Sequence, residues 1–439
     1  TSEGAPCFVD SDCGAVTCEK GGGVSLVGNV EAQGLEAGTL SITAAGDVVL
    51  AGAIDLDSTD ADGDGGQLDV NSTLGSVNVG GRVDATSGRF GFGGIVTLAA
   101  AGDVSLGGSI DASGGDFDGG EIDVVAGGDV FVSGRLRVDS TAGEGAGGFV
   151  ALTADGDVRL TSTAVLSADG HQSIDNFAGD GGTYLLSAGR VLVVAAGASV
   201  VAAGARPDGA AGTFDATSAG ALTLSGTVSV VAKGGRGIGG SIAIRACEVD
   251  IPAPGSLENV GEGGDNVVIG LGTIAARAGA TITADARTGT NTVRYRDASA
   301  PPLLLATFAP APTLEVDPFL PPCADIPTTT TTTLPGNCGN GSIDVEEDCD
   351  DGDPLFVRGD ACGPTCQWVS CADPDASRAV NASDALVLLR VAVGLENCHS
   401  CICNVDSSPG PIGASDALRT LSVAVGLPVD LRCPSCAAP

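Results

Sequence analysis

Methionine is absent from this sequence, tryptophan occurs once, and tyrosine and histidine twice each. Scarce aromatics suit a narrow core and leave almost no platform on which sugar rings could stack. Lysine is confined to Lys20 and Lys233, and the formal net charge is −35. That balance argues against nucleic acid or anionic lipid as a partner. No run of about 20 apolar residues is present, so no membrane insertion is expected. No helical periodicity is long enough to span the repeat described below. With no Met and Thr1 first, the chain reads as a mature product whose leader has been removed.

What is there is glycine, valine, alanine and aspartate in a recurring order. Between Gly66 and Ala112 the same three short runs occur nearly twice: QLDV, SVNVGGRVDATSG, then IVTL, AAAGDVSLGGSIDASGG. The second small residue before each first run falls at Gly38, Gly66, Gly94, Gly120, Gly148, Gly182, Gly212, Gly240 and Gly264, spaced 28, 28, 26, 28, 34, 30, 28 and 24 residues apart. Each unit has a GGxUxU run, a GDVxL run and a GxIDAS run (U apolar), with the alternation of half-buried strands. Three strands that cannot each bury an apolar face alone can do so by stacking coil on coil. The expected fold is all-β: a parallel, right-handed β-solenoid of about nine to ten coils over residues 24–298. At the strand spacing of about 4.8 Å its length would be on the order of 45 Å.

Fifteen cysteines lie at the ends and in the tail, with only Cys247 inside the solenoid. That distribution implies disulfides and a secreted, extracellular or cell-surface location, and an odd count leaves at least one thiol free or bridged to another molecule. Residues 1–23, with Cys7, Cys13 and Cys18, read as a Cys-rich cap over the first coil or as a docking surface for another subunit. The longest repeat contains DGHQSIDNFAGD, which should bulge from a corner and leave His171 solvated. Asp60, Asp62 and Asp64 alternate before Gly65 like the first half of a calcium loop, but the twelfth position is Asn71. The two readings are a weak calcium site and a polar turn. Most other carboxylates admit the same pair of readings, divalent cations or solubility alone. Residues 299–336 are rich in Pro and Thr. Proline cannot donate to a ladder, so an apolar strip lying against the rod or its last coil is expected, then a stiff Thr328–Thr333 spacer open to O-glycosylation.

Residues 337–371 resemble a cysteine-rich repeat of secreted bacterial proteins, CGNGxxxxxExCDDGN followed by GDGCxxxC. Cys338, Cys349, Cys362, Cys366, Glu347, Asp350, Asp351 and Asp360 fall in place, whereas Asp353 and Ala361 depart from it. Disulfides and a zinc site involving Cys362 and Cys366 are both compatible, with the acidic, secreted context favouring the former. Residues 372–439 repeat themselves: ASDALVLLRVAVGL after Asn381 and ASDALRTLSVAVGL after Gly413. Apolar residues at helical spacing follow an Asp in each copy. In the first, Asp373, Asp375, Ser377, Ala379 (through its carbonyl), Asn381 and Asp384 stand at positions 1, 3, 5, 7, 9 and 12 of a calcium loop. In the second, Asn404, Asp406, Ser408 and Asp416 span one residue too many and enclose Pro409 and Pro411. The arrangement resembles a dockerin, which implies calcium as cofactor and a cohesin-like protein as partner. Cys398, Cys401, Cys403, Cys433 and Cys436 are additions to that pattern.

The solenoid carries no GHG, no RxK and no carboxylate pair flanked by Lys and Arg, as a polysaccharide hydrolase on such a scaffold would need. Its AAGDVSLGGSIDASGG wording instead resembles the repeats of filamentous-haemagglutinin-type adhesins. The expectation is therefore a secreted non-catalytic structural protein, a subunit of an extracellular fibre or surface appendage, stabilised by calcium and disulfides and assembled head-to-tail, or docked onto a surface, through its terminal modules. The alternative is an adhesin or glycan-binding rod anchored by its dockerin-like tail; a polysaccharide lyase or hydrolase ranks third.

Overall fold

The computed structural model describes residues 15–18, 22–34, 37–172, 178–234, 237–285 and 288–323, and in the C-terminal part 349, 361–362, 368–374, 380, 382–392, 398–406, 412–424, 427 and 429–434. The chain divides into two compact units, Thr1–Thr330 and Thr331–Pro439.

The first unit is a parallel β-solenoid of about ten turns. All nine repeat glycines stand immediately before a strand: Gly38 before Thr39–Ala44, Gly66 before Gln67–Ser72, and so on to Gly264 before Asp265–Ala276. The GGxUxU and GDVxL runs form two stacks that belong to one sheet, and the GxIDAS runs form an 11-stranded second sheet. In the later coils the first two runs fuse into long strands, Thr213–Leu224, Ser241–Ile251 and Asp265–Ala276, bent at a register shift.

Every strand pairing in the ladder is parallel and in register with the same position of the next coil. One column of side chains therefore runs Ile42, Val70, Leu98, Val124, Leu152, Leu186, Ala216, Ile244, Val268, Val293, and every member is buried. Tyr184 and Phe214 stack in neighbouring coils and are also fully buried. The Tyr184 hydroxyl donates to the Val201 carbonyl, which makes its burial tolerable. The glycine column has an equally simple cause. A Cβ on Gly94 would run into the carbonyl oxygens of Gly66 and Ala85, while the Gly66 carbonyl accepts the Ile95 N–H of the next coil.

Two expectations meet the structure differently. The long repeat does leave the ladder after Gly170: Gln172 and Ala178 pinch the excursion with an antiparallel bridge, and His171 at its base is exposed. The Pro-rich segment after residue 298, however, does not merely lie against the rod. Leu303–Leu304, Thr307–Ala309 and Thr313–Val316 pair in parallel with the preceding coil and form a further turn. Pro301, Pro302, Pro310 and Pro312 flank these strands at the corners, where no ladder donor is required. From the segment read as the N-terminal cap, Ala15–Cys18 pairs onto Ser41–Ala44; Cys7 and Cys13 lie outside the described residues.

In the second unit, helices α1 (Ala382–Ala392), α2 (Ser400–Cys403) and α3 (Ala414–Ala424) are formed, α1 packing on α3. Leu388, Ile402, Val405 and Ala417 are buried in its small core. Disulfides join Cys349 to Cys362, Cys371 to Cys433 and Cys398 to Cys403. Cys362 is thus a cystine half and not a zinc ligand, whereas Cys338 and Cys366 lie outside the described residues.

Because Leu98 sits between Val70 and Val124 in a column with no slack, Leu98→Ala should destabilise the solenoid by about 2–5 kcal/mol. Denaturant unfolding followed by circular dichroism checks this. A loss well under that range would mean that neighbouring coils collapse onto the cavity.

Candidate functional site

The aspartates of the GDV motif stitch coils together. Asp47 Oδ1 accepts the Ser76 N–H, Asp103 Oδ1 the Asp129 N–H, and Asp129 Oδ1 the Asp157 N–H, each at 2.8 Å. Ser76 takes the same place in its own coil, its Oγ accepting the Asp103 N–H. Where acidic residues follow one another, Arg190 closes the row: its guanidinium donates to Asp129 at 2.7 Å and lies 3.5 Å from Asp157. A second row follows the same rule at another corner, Asp64, Asp118 and Asp180 accepting the N–H groups of Phe92, Ala146 and Ala210. Much of the negative charge therefore serves as acceptor for corner amides that would otherwise lack a partner.

This bears on the candidate calcium turn. Asp60, Asp62 and Asp64 are all exposed at one corner, and Asp64 turns its Oδ1 to the Phe92 amide of the next coil. Beside it the fold assembles a group that spacing alone conceals. Phe92 and Phe117, from successive coils, stack with centroids 4.8 Å apart and planes 16° apart, and Arg89 lies over the Phe90 ring. All three rings are exposed. A stacked pair of this kind contributes about 0.5–1.5 kcal/mol beyond its buried area.

A tighter acidic group lies on the outer face of the second sheet. Glu31, Asp55, Asp84 and Asp111 occupy one register position in four consecutive coils, followed by Arg137. Like charges one strand spacing apart repel, and the local cations are few. Arg82 pairs with Asp84, and Arg137 pairs with Asp139 at 2.6 Å and reaches Asp111 at 3.5 Å. Asp57, two residues beyond Asp55, adds a further carboxyl to this group. Burial, a hydrogen bond shared with the Asp55 carboxylate and the charges of Asp55 and Asp84 push it up to about 6, against a smaller opposing pull from Arg82. Asp55 takes the other half of the bargain: although burial opposes it, hydrogen bonds from Gln33 and Asp57 and the charge of Arg82 hold it below the usual carboxylate range. Asp84 is raised, chiefly by burial.

In the second unit, several residues expected to ligate calcium are buried: Asp373, Asp384, Asn404 and Asp416. Asp384 and Asp416 occupy equivalent places, the third residue of α1 and of α3, as the sequence duplication requires. Asp416 Oδ1 accepts the Val405 and Asp406 amides at 2.9 and 3.3 Å and its Oδ2 the Gly413 amide at 2.9 Å. It thus ties the second loop, from Asn404 onward, to the start of α3. Asp406, half-buried, accepts from Ser415 Oγ. The Ala372 amide donates to the Ile402 carbonyl, which places the first loop's entry beside α2. Asp375, Ser377, Ala379, Asn381 and Ser408 lie outside the described residues. Among the described residues, no group of three or more His, Cys, Asp or Glu is arranged to hold a metal ion.

The upward shift at Asp57 fixes the sign of its effect on stability. A carboxyl whose value rises on folding, from 3.8 to about 6, contributes stability that is fully present below 3.8 and lost as pH rises through 6. Asp57→Asn keeps the shape without the titration. The variant should match the parent protein at pH 3 and melt at a higher temperature at pH 7.5. Equal melting temperatures at both pH values would show that Asp57 is not raised.

No protein-family profile, no curated protein and no solved structure matches this chain.

Proposed function

We propose that this protein is a secreted structural rod, a subunit of an extracellular fibre or cell-surface appendage, that associates end to end through its solenoid and carries a dockerin-like calcium module for docking to a cohesin-like partner. The observation that carries the reading is the last described turn of the solenoid. Ala276 and Ile282 are buried, yet Leu304 and Phe308, their partners one coil on, are only partly covered. Among the described residues the strands of that turn pair on one side alone. Leu303, Leu305, Leu314, Val316 and Phe319 are exposed around it, Phe319 to 93% and Leu314 to 50%. An open edge with an apolar rim is a template for another strand. A rod whose two ends differ makes head-to-tail contacts that propagate into filaments unless they close.

The calcium part of the reading is supported by burial. Asp373 and Asp384, eleven residues apart at the first and last positions of the loop, are both buried, as the end ligands of a calcium loop would be. The second loop is one residue longer and encloses Pro409 and Pro411, and Asp416 accepts three amides there. One calcium per chain is therefore the expected stoichiometry.

Electron microscopy and sedimentation of the full chain should show axial filaments that grow with concentration. Leu314→Lys with Phe319→Lys should abolish them without lowering the melting temperature. A parent protein that remains monomeric at high concentration would end the fibre reading. Calorimetric titration with calcium should give about one equivalent, lost in Asp384→Asn; no heat in the parent protein would remove calcium from the account.

A further inference from the structure

Cys247 is the one cysteine inside the repeats, and it stands at an irregular point. In strand Ser241–Ile251 the register with the next coil shifts between Ala246 and Glu248, so Cys247 is the residue taken up by the bend. It is buried, and its thiol donates to the Cys323 carbonyl at 3.3 Å. Cys323 arrives from far along the chain, after the last turn has closed with Thr313–Val316 and a turn at Asp317–Leu320. Between the two stands Gly272 of the intervening coil. A Cβ there would lie 3.0 Å from Cys323 Sγ and 3.1 Å from the Cys247 carbonyl oxygen. Glycine at this place leaves the space through which the sulfur of Cys323 reaches the coil below.

We propose that Cys247 and Cys323 form a cross-linking site, closing to a disulfide by exchange with a small-molecule or enzyme disulfide and fastening the last turn of the solenoid to the coils beneath it. Both thiols are free in the structure, and Cys323 is half-buried. Cys323, the accessible partner, attacks a sulfur of the external disulfide as its thiolate, forming a mixed disulfide and releasing one thiolate. Cys247 then gives its proton to solvent and attacks Cys323 Sγ, expelling the second thiolate. Two protein thiols are oxidised and one external disulfide is reduced to two thiols, so atoms and electrons balance. Cys247 is unsuited to strike first: burial, then the hydrogen bond with Cys323 and the charge of Glu248, push its thiol up to about 12. An oxidant of this class has work elsewhere on the same chain, which carries disulfides at Cys349–Cys362, Cys371–Cys433 and Cys398–Cys403.

The bond would join residues 76 apart in sequence. A closed loop of that length restricts the unfolded chain strongly, and it holds the turn whose core-facing Leu304 and Phe308 are least covered.

The test uses the full chain, prepared reduced and then exposed to oxidised glutathione. Peptide mapping without reductant should recover Cys247 and Cys323 as one cross-linked pair, and the solenoid's melting temperature should rise by several degrees on oxidation. Cys323→Ser, at the half-buried position, should fold and show no such rise. Glutathione retained on Cys323 with no cross-linked pair, or pairing of either residue with another cysteine, would overturn the proposal. An unchanged melting temperature in a cross-linked protein would keep the bond and remove its role as a fastener.

Discussion

Everything in the first unit depends on one constraint: each coil must present its backbone N–H and C=O groups in the register of the coil before it. The ladder Leu40–Leu68–Val96–Ile122–Val150 and its parallels leave no freedom to slip, because a one-residue shift would turn every inward side chain to water. From that follow the glycine column, where two backbones approach too closely for a Cβ, and the inward residues that fill a narrow core.

The same constraint explains a strongly acidic chain that stacks like on like. Corner amides need acceptors, and an aspartate in one coil reaches the N–H of the next, as Asp103 does for Asp129 and Asp118 for Ala146. The cost is a column of carboxylates one strand spacing apart. Along that corner row a serine stands in for an aspartate at Ser76 and an arginine bridges two of them at Arg190, while beside the carboxylates of the second sheet Asp57 is pushed up to about 6. Charge here is part of the architecture and also keeps the outer surface well hydrated.

The second unit solves its stability differently. Its core is small, with Leu388, Ile402 and Val405 at the centre, so covalent clasps and buried carboxylates do what a long ladder does in the rod. Cys371–Cys433 closes the module across 62 residues. Asp416 holds a loop to a helix start through three amides. An end-to-end rod and a compact clasped module divide the proposed work between association along an axis and attachment to something else.

The sequence by itself determined the parallel solenoid, its coil length, its strand starts and the inward set. Those depend on a period of two within strands and about 28 between coils, both readable from Gly38 to Gly264. It also determined the two duplicated helices, because Asp384 and Asp416 each precede apolar residues at helical spacing. Only the tertiary structure decided what depends on neighbours one coil or several coils away. Prolines 301 to 312 could be read as ladder breakers until the corners that receive them were placed. Asp64 stands in the spacing of half a calcium loop, and only the stacking of coils shows that it also accepts the amide of Phe92, 28 residues on. Phe92 meets Phe117, Asp57 lies beside Asp55 and Asp84, and Cys247 meets Cys323 across Gly272. Local pattern sets which way a side chain points, inward or outward; the lateral stacking of coils sets which other side chain it finds there.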